Sequence, residues 1–145
     1  MAPPFSLSPD IATTLARLTC HLNHLPQGAP SSPVISNMIC WKMDRELQQL
    51  AAANKATYTR YVDDITFSTS ENVFPSALGE IKLNKCIVGQ SLESVILANG
   101  FSINAGKVRL QYHRSRQEVT GLIVNTKVNV RRGFVSQLRV MLHDW

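Results

Sequence analysis

The chain has 145 residues, of which 44% are hydrophobic and 17% charged. This length and composition suit one globular domain with its own hydrophobic core, and they exclude a large multidomain enzyme and a disordered tail. The 15 Lys and Arg residues exceed the 10 Asp and Glu residues, and the net charge of +5 favours polyanionic partners.

Two classes of protein are disfavoured by features that the sequence lacks. No apolar run reaches the roughly 18 residues of a membrane helix, and the first residues do not resemble a signal peptide, so we expect a cytoplasmic protein with no membrane segment. Cys20, Cys40 and Cys86 are odd in number, widely spaced and outside any CxxC pattern. They predict buried thiols rather than a disulfide framework or a zinc site.

The positive charge is concentrated toward the C-terminus. Residues 1–100 contain seven Lys and Arg against eight Asp and Glu, whereas residues 101–145 contain eight against two. Such a segment attracts a nucleic-acid backbone, although a solvated basic edge without a ligand is an equal alternative. The residues expected at a nucleic-acid backbone are Arg109, Arg114, Arg116, Lys127, Arg131 and Arg132.

Two helices are predicted in the first part of the chain. Ser8, followed by a proline and an acid, has the features of an N-cap and predicts a short helix. After a break at residues 25–30, Ser32 followed by proline repeats this start signal. Apolar residues then recur every three or four positions, which predicts a long amphipathic helix ending near Asn54.

Strands and two further helices are predicted beyond the second helix. Residues 56–61 and 65–68 are rich in aromatic and β-branched side chains and flank two acids, so they predict a β-hairpin. Residues 71–90 show no clear pattern. Separate blocks of strands and helices favour an α+β fold, with an antiparallel sheet packed on helices. The remaining predicted elements are a helix ending at Asn99-Gly100, extended segments at 101–104 and 108–110, a hairpin of 118–125 with 128–130, and a helix at 135–143.

Asp63 and Asp64 are the strongest candidates for chemistry. Two adjacent carboxylates at a tight turn repel each other unless a cation or a partner offsets their charge. Oxygen ligands suit Mg²⁺, and carboxylates can clamp the two cations of a phosphoryl-transfer site. The alternative is a solvated turn, because Asp is a common turn residue.

Three blocks of sequence stand in order along the chain: LPQGAPSSP at 25–33, YVDD at 61–64 and GFSINAGK at 100–107. Together they resemble the palm of reverse transcriptases. A further segment, QEVTGLIVN at 117–125, contains a VTG sequence that is similar to the bacterial retron-type branch. The resemblance covers about residues 15–143, and its least typical feature is Val62, where many bacterial relatives carry alanine.

The resemblance implies a fold and an activity. The fold would be the palm of a right-hand polymerase lacking fingers and most of the thumb, one partial domain over residues 1–145 in which about 131–145 lead toward the thumb. The activity would be that of an RNA-directed DNA polymerase, a nucleotidyltransferase that extends a primer with dNTPs on an RNA template with two Mg²⁺ ions.

The resemblance also implies roles for individual residues. Asp63 and Asp64 would be catalytic carboxylates that bind the metal. The residues near the templating base and the incoming nucleotide would be Gln27, Gly28, Tyr61 and Lys107, and those at the primer end would be Val119, Thr120 and Gly121. The alternatives are that Gln27 satisfies loop amides, Lys107 is one of many surface lysines, and Thr120-Gly121 forms a strand bulge.

One expected metal ligand is missing from the sequence. The resemblance implies a further carboxylate on a strand that precedes the LPQG block, but only Asp10 lies upstream, and it stands at a predicted helix start. We therefore expect the chain to begin just after that strand and to be inactive alone, because two-metal geometry would be incomplete.

Two functions of different class follow from these expectations. The first is part of a retron-type reverse transcriptase, active once an N-terminal segment or second chain supplies the carboxylate. Its partners would be an RNA template, a DNA or RNA primer and dNTPs, with a structured non-coding RNA and a role in antiviral defence also implied. The second is a non-catalytic palm remnant that binds nucleic acid through residues 101–145. A third reading is an unrelated α+β binding module whose motifs are coincidental.

Overall fold

A computed structural model describes residues 5–83 and 85–143 of the chain. Within these ranges the elements follow one another as α1 (Pro9–Thr19), α2 (Ser32–Ala53), β1 (Thr57–Tyr61), β2 (Asp64–Ser68), β3 (Gly79–Lys82), β4 (Lys85–Val88), α3 (Gln90–Ala98), β5 (Glu118–Val119), β6 (Leu122–Ile123) and α4 (Arg132–His143). None of the described helices is long and apolar enough to cross a membrane.

The first two helices form where the sequence predicts them, with one difference in capping. The Ser8 hydroxyl accepts a hydrogen bond from the Ile11 N–H at 3.4 Å and caps α1 as expected. Ser32, in contrast, is the first residue of α2 rather than its cap, because its hydroxyl donates to the Pro26 carbonyl at 2.7 Å. This hydrogen bond ties the start of α2 to the preceding loop.

The predicted hairpin around the acid pair is confirmed. Strands β1 and β2 pair antiparallel, and their register runs from Thr57 opposite Ser68 to Tyr61 opposite Asp64. Only Val62 and Asp63 remain in the connecting loop, so the two aspartates do not share one structural position.

The remaining strands differ from the prediction. Instead of one sheet, the described residues form three two-stranded antiparallel sheets, β1 with β2, β3 with β4, and β5 with β6. The hairpin β3–β4 lies in the 71–90 region that shows no clear sequence pattern. Segments 101–104 and 108–110 are not strands, because an extended segment becomes a strand only when it finds a hydrogen-bonding partner. The α+β class is nevertheless correct.

The C-terminal hairpin is tighter than predicted. The chain turns at Thr120 and Gly121, which both have positive φ, so β5 pairs with β6 rather than with residues 128–130. The predicted pairing survives as one bridge, in which Ile123 and Asn129 exchange backbone hydrogen bonds of 2.8 and 2.9 Å. Helix α4 begins at Arg132, three residues before the predicted start.

The hydrophobic core is centred on α2. Its buried members are Cys40, Met43 and Leu47 from α2 with Leu92 and Ile96 from α3. Side chains from the strands and from one loop pack against this cluster, namely Tyr58, Ile65, Phe67, Val88 and Ile103. The core therefore joins α2, α3, the β1–β2 hairpin and the segment that follows α3.

The cysteine prediction is correct for only one residue. All three cysteines lie in the described part of the chain and are free thiols. Cys40 is buried in the core, whereas Cys20 and Cys86 are only partly buried, because they lie outside the α2–α3 contact. Partial burial raises the pKa of the Cys86 thiol.

Candidate active site

The two adjacent carboxylates occupy the exposed end of the β1–β2 hairpin. Asp63 is the second residue of the two-residue loop, and Asp64 is the first residue of β2. Both are exposed, and so are their neighbours Tyr61 (69%) and Val62 (50%). An exposed turn with two carboxylates is open to a cation and to a polyanionic substrate that the cation would bring with it.

The backbone of this turn has an unusual conformation. Val62 has a φ of 56°, in the left-handed region that β-branched residues rarely adopt. Two-residue hairpin loops need a positive φ at their first position to match the twist of the strands, and glycine, asparagine or aspartate normally fills that position. Valine at this place is therefore strained, and something must hold it.

Arg60 holds the turn against α2. Its Nη1 donates to the Val62 carbonyl at 2.8 Å. Its Nε and Nη2 donate to Oδ1 and Oδ2 of Asp44 at 2.7 and 2.6 Å, and Nη2 also donates to Asn37 Oδ1 at 3.0 Å. The Tyr58 hydroxyl donates to Asp44 Oδ1 at 2.6 Å. One guanidinium thus connects the acidic turn to two residues of the long helix.

The electrostatics of this network are self-consistent. Burial alone would raise the pKa of Asp44, but hydrogen bonds from Arg60 and Tyr58 and the charge of Arg60 outweigh it and lower the pKa. Burial and the hydrogen bond to Asp44 raise the pKa of the Tyr58 hydroxyl. The hydrogen bonds to Asp44 raise the pKa of Arg60 despite its burial. At neutral pH the network therefore holds an ionised Asp44, a neutral Tyr58 and a charged Arg60.

The donor set at the turn fits Mg²⁺ in its chemistry. Mg²⁺ prefers oxygen ligands and is commonly bound through one or two carboxylates, with waters and substrate phosphates completing its shell. Asp63 and Asp64 supply such a pair. Within residues 5–83 and 85–143, no group of three or more His, Cys, Asp and Glu side chains is placed to hold a metal. The turn therefore offers a partial ligand set.

Gln27 and Gly28 lie in the loop before α2. Both are exposed, and a Cβ added to Gly28, whose φ is 83°, would meet no heavy atom within 4 Å. The space beside this glycine is open, which leaves the backbone accessible to a ligand. The structure does not show Gln27 satisfying loop amides among the hydrogen bonds described.

Lys107 lies at a turn beyond α3. Its backbone N–H donates to the Asn104 carbonyl at 2.9 Å, and its side chain is exposed. Ile103, four residues earlier, packs against the same core as Ile65 and Phe67 of β2. The core thus connects the segment carrying Lys107 to the hairpin carrying the acids. The loop carrying Gln27 and Gly28 is connected to that hairpin through α2, to which the Ser32–Pro26 hydrogen bond ties it.

The VTG segment forms the turn of the β5–β6 hairpin, next to a buried acid that the sequence reasoning did not single out. Glu118 is 7% exposed and pairs with Arg131, whose Nε lies 3.1 and 3.0 Å from its two carboxylate oxygens and whose Nη2 also contacts it. The hydrogen bonds from Arg131 lower the pKa of Glu118, and the nearby charges of Arg116 and Arg109 contribute. Glu118 therefore fastens the hairpin to the start of α4.

This acid divides the arginines expected at a nucleic-acid backbone. Arg131 is engaged by Glu118, Arg116 lies 3.9 Å from it, and Arg109 donates to its backbone carbonyl at 3.4 Å. All six predicted residues are exposed, and Arg114, Lys127 and Arg132 take part in none of the ion pairs among the described residues. Because one carboxylate is surrounded by three arginines, the cluster keeps a net positive charge.

Asp44, Arg60 and Glu118 are functional candidates that sequence reasoning missed. The alternation along β1 places Tyr58 and Arg60 on the face that packs on α2, and a charged side chain on an inward face needs a partner. That signal could have identified Arg60, although not Asp44 as its partner. Nothing in the local pattern of residues 117–125 marks Glu118 as buried.

The described residues form an α+β domain with two adjacent carboxylates at an exposed hairpin turn and a basic C-terminal segment. The family model described as "Reverse transcriptase (RNA-dependent DNA polymerase)" matches residues 12–125. The chain therefore belongs to the reverse transcriptase family.

Within the family, the chain is similar to retron reverse transcriptases. It is 38% identical over 126 residues to the retron Mx162 reverse transcriptase of Myxococcus xanthus, covering 83% of this chain and 26% of the relative. It is 35% identical over 135 residues to the retron Ec86 reverse transcriptase of Escherichia coli, covering 92% of this chain and 39% of the relative. The chain thus spans between about a quarter and two fifths of these relatives.

Proposed function

We propose that this chain provides the palm of a retron-type RNA-directed DNA polymerase, with residues 131–145 leading toward the thumb. The observation that carries the proposal is the exposed turn of Asp63 and Asp64, which lies inside the segment matched by the family model. The substrates would be dNTPs, an RNA template and a DNA or RNA primer. A structured non-coding RNA and a role in antiviral defence belong to the same proposal.

In this function, Asp63 and Asp64 bind Mg²⁺. The metal, when bound, supplies positive charge that offsets charge on the triphosphate and the attacking primer oxygen. The carboxylates fix where that charge lies, and the hairpin holds them at its exposed end. Lys107 contributes a second cation that stabilises charge developing on the leaving phosphates.

The other site residues position the substrates. Gln27 and Gly28 contact the templating base and incoming nucleotide, supported by the open space beside Gly28. Tyr61 lies beside the acidic turn and is 69% exposed, as a residue that packs against a nucleotide requires. The segment of Val119, Thr120 and Gly121 contacts the primer end, supported by the tight turn that Thr120 and Gly121 form between β5 and β6.

The proposal includes a carboxylate from elsewhere. Asp10 lies in the first turn of α1, and the described residues contain no third ligand grouped with the acid pair. Two-ion chemistry therefore needs a further carboxylate from another segment or another chain, and the described residues alone are expected to be inactive.

Primer extension on an RNA template with Mg²⁺ tests the proposal. The chain is assayed alone and mixed with fragments of the Ec86 reverse transcriptase that together cover the parts of that protein outside its match to this chain. We expect product only in the mixture, and we expect Asp63→Asn to abolish it while the matched control Asp10→Asn preserves it. Product from the chain alone would contradict the missing carboxylate, and no product in any mixture would contradict the polymerase.

A second function, nucleic-acid binding without catalysis, is favoured by one specific feature. A cleft of about 700 Å³ lies between β6 and the start of α4 and is lined by Arg116, Arg131, Arg132 and Phe134, among others. Guanidinium groups suit phosphates, and an aromatic ring can stack on an unpaired base. RNA binding with a steep salt dependence, reduced by Arg132→Gln and unaffected by Arg17→Gln, in a chain that supports no primer extension, would favour this function.

A further inference from the structure

We propose that Arg60 is a positioning residue that sets the orientation of the acidic turn by tying the Val62 carbonyl to Asp44 of α2. The inference rests on the proposed function, since it concerns how the same carboxylates are presented to a metal. It assigns a role to a residue that touches neither the metal nor a substrate.

Arg60 holds the backbone carbonyl of Val62. The Val62 carbonyl belongs to the peptide unit that joins Val62 to Asp63, the central peptide of the two-residue loop. That unit is planar, so fixing its oxygen also fixes the Asp63 N–H on its other side. A flip of this peptide would change ψ of Val62 and φ of Asp63, and with them the rotamers that the Asp63 side chain can adopt.

The central peptide of the loop lies in a strained and exposed segment. Val62 has a positive φ, which costs an L-residue about 1–2 kcal/mol. Both loop residues, Val62 and Asp63, are exposed. Strained conformations persist when the surrounding structure over-determines them. Among the hydrogen bonds of the described residues, the one from Arg60 to the Val62 carbonyl joins a side chain to the backbone of this loop.

Arg60 is itself anchored to α2. Its side chain is 7% exposed, and it binds both oxygens of Asp44 while also reaching Asn37. Asp44 is fixed in turn by the Tyr58 hydroxyl. These contacts therefore position the turn relative to α2, the helix on which the core is centred.

The geometry of these contacts requires arginine. The guanidinium is a rigid planar fork with five donors, and here it serves a carboxylate on one edge and a carbonyl on another. A lysine carries the same charge at a single point and cannot hold both groups in fixed relation. Charge alone is therefore insufficient for this role, which separates positioning from simple ion pairing.

The test uses the isotope-labelled full chain and two NMR readouts. The first is conformational exchange at the Asp63 amide, which reports the central peptide. The second is Mn²⁺ titration, in which paramagnetic broadening at Asp63 and Asp64 reports binding of the metal at the turn. The variants are Arg60→Lys, Arg60→Met and the double substitution Asp44→Asn with Arg60→Met, and the control is Lys42→Met on the exposed side of α2.

The double variant guards against loss of folding. It leaves no unpaired charge at the former ion pair, and an asparagine oxygen can still accept from Tyr58. Thermal unfolding establishes that each variant is folded before it is compared. If either single variant does not fold, the double variant decides the question.

We expect Arg60→Lys, Arg60→Met and the double variant to show exchange at the Asp63 amide and Mn²⁺ affinity lower by about tenfold or more, with Lys42→Met unchanged. Folded variants with an unchanged Asp63 amide and unchanged Mn²⁺ affinity would overturn the proposal, as would full retention by Arg60→Lys. If the wild-type chain binds no Mn²⁺ at the turn, the metal part of the proposed function fails, while the Asp63 amide still decides the role of Arg60.

Discussion

Arg60 and Asp44 form a two-point ion pair between β1 and α2, with Nε 2.7 Å from Oδ1 and Nη2 2.6 Å from Oδ2. The two residues are 16 positions apart in sequence, on a helix and on the strand that follows it. This pair adds a polar contact to the apolar contact between α2 and the hairpin, and Arg60 also donates to the Val62 carbonyl in the acidic turn. Its energetics can be measured separately from any activity.

Breaking the ion pair from one side is expected to destabilise the chain more than removing both charges. Arg60→Met leaves Asp44 as a partly buried, unpaired carboxylate, which should lower the free energy of unfolding by about 2–4 kcal/mol, since Asp44 keeps 29% of its side-chain exposure. The double substitution Asp44→Asn with Arg60→Met should cost clearly less. Urea unfolding measures both, with Lys42→Met as control. Equal losses in the single and double variants would contradict a coupled pair.

Acid should destabilise the fold through two carboxyl groups. The pKa values of Asp44 and Glu118 are both lowered in the folded chain. A lowered folded-state pKa contributes stability above the unfolded value of about 4, and this contribution is lost as the pH falls through the folded pKa. The urea concentration at the unfolding midpoint should therefore be lower at pH 3 than at pH 5, because the loss begins near the ordinary carboxyl pKa of about 4. The double variant of Asp44 and Arg60 should show a weaker pH dependence, and an unchanged one would refute the assignment.

Glycine at position 62 is expected to stabilise the hairpin. Val62 has a φ of 56°, and removing its Cβ should raise the free energy of unfolding by about 1 kcal/mol. Val62→Ala keeps a Cβ without the branch and should give a smaller gain. Urea unfolding of the three forms gives the order Gly above Ala above Val. A loss of stability in both variants would show that the valine side chain makes contacts that outweigh the strain.

Gly89 is expected to be intolerant of any side chain. A Cβ at this position would lie 2.2 Å from the Ala77 carbonyl oxygen, closer than atoms can approach. The Gly89 N–H also donates to the Leu78 carbonyl at 3.0 Å, so the two segments cannot easily separate. Gly89→Ala should lower the free energy of unfolding by about 1–3 kcal/mol through this clash. Gly133→Ala, where a Cβ meets nothing within 4 Å, is the control and should have little effect.

Glu118 is expected to hold the start of α4. Glu118→Gln removes the charge that pairs with Arg131 but keeps the size of the side chain. Amide hydrogen exchange should become faster in α4 and in the β5–β6 hairpin while the core of α2 stays protected. Glu93→Gln, on the exposed side of α3, is a matched control. Uniform acceleration across the chain would instead indicate that Glu118 contributes to global stability.

Local signals in the sequence determined much of this protein. The Ser8 cap, the three- and four-residue spacing that ends near Asn54, and the aromatic and β-branched flanks of the acid pair each specify an element through its own neighbours. The order of the LPQG, YVDD and GFSINAGK blocks determined the family, which the comparison of residues 12–125 confirms. None of these features depends on which helices and strands pack against each other.

Tertiary structure decided the rest, because it depends on groups distant in sequence. Whether residues 101–104 become a strand depends on a partner, and the described chain provides none, whereas residues 79–82 and 85–88 find each other. The close approach of Gly89 to Ala77, the ion pair of Glu118 with Arg131 and the selection of Asp44 as partner of Arg60 each join residues at least 12 positions apart. The sequence by itself placed two carboxylates at a turn; only the packing of β1 on α2 decided which residue fixes the direction in which that turn presents them.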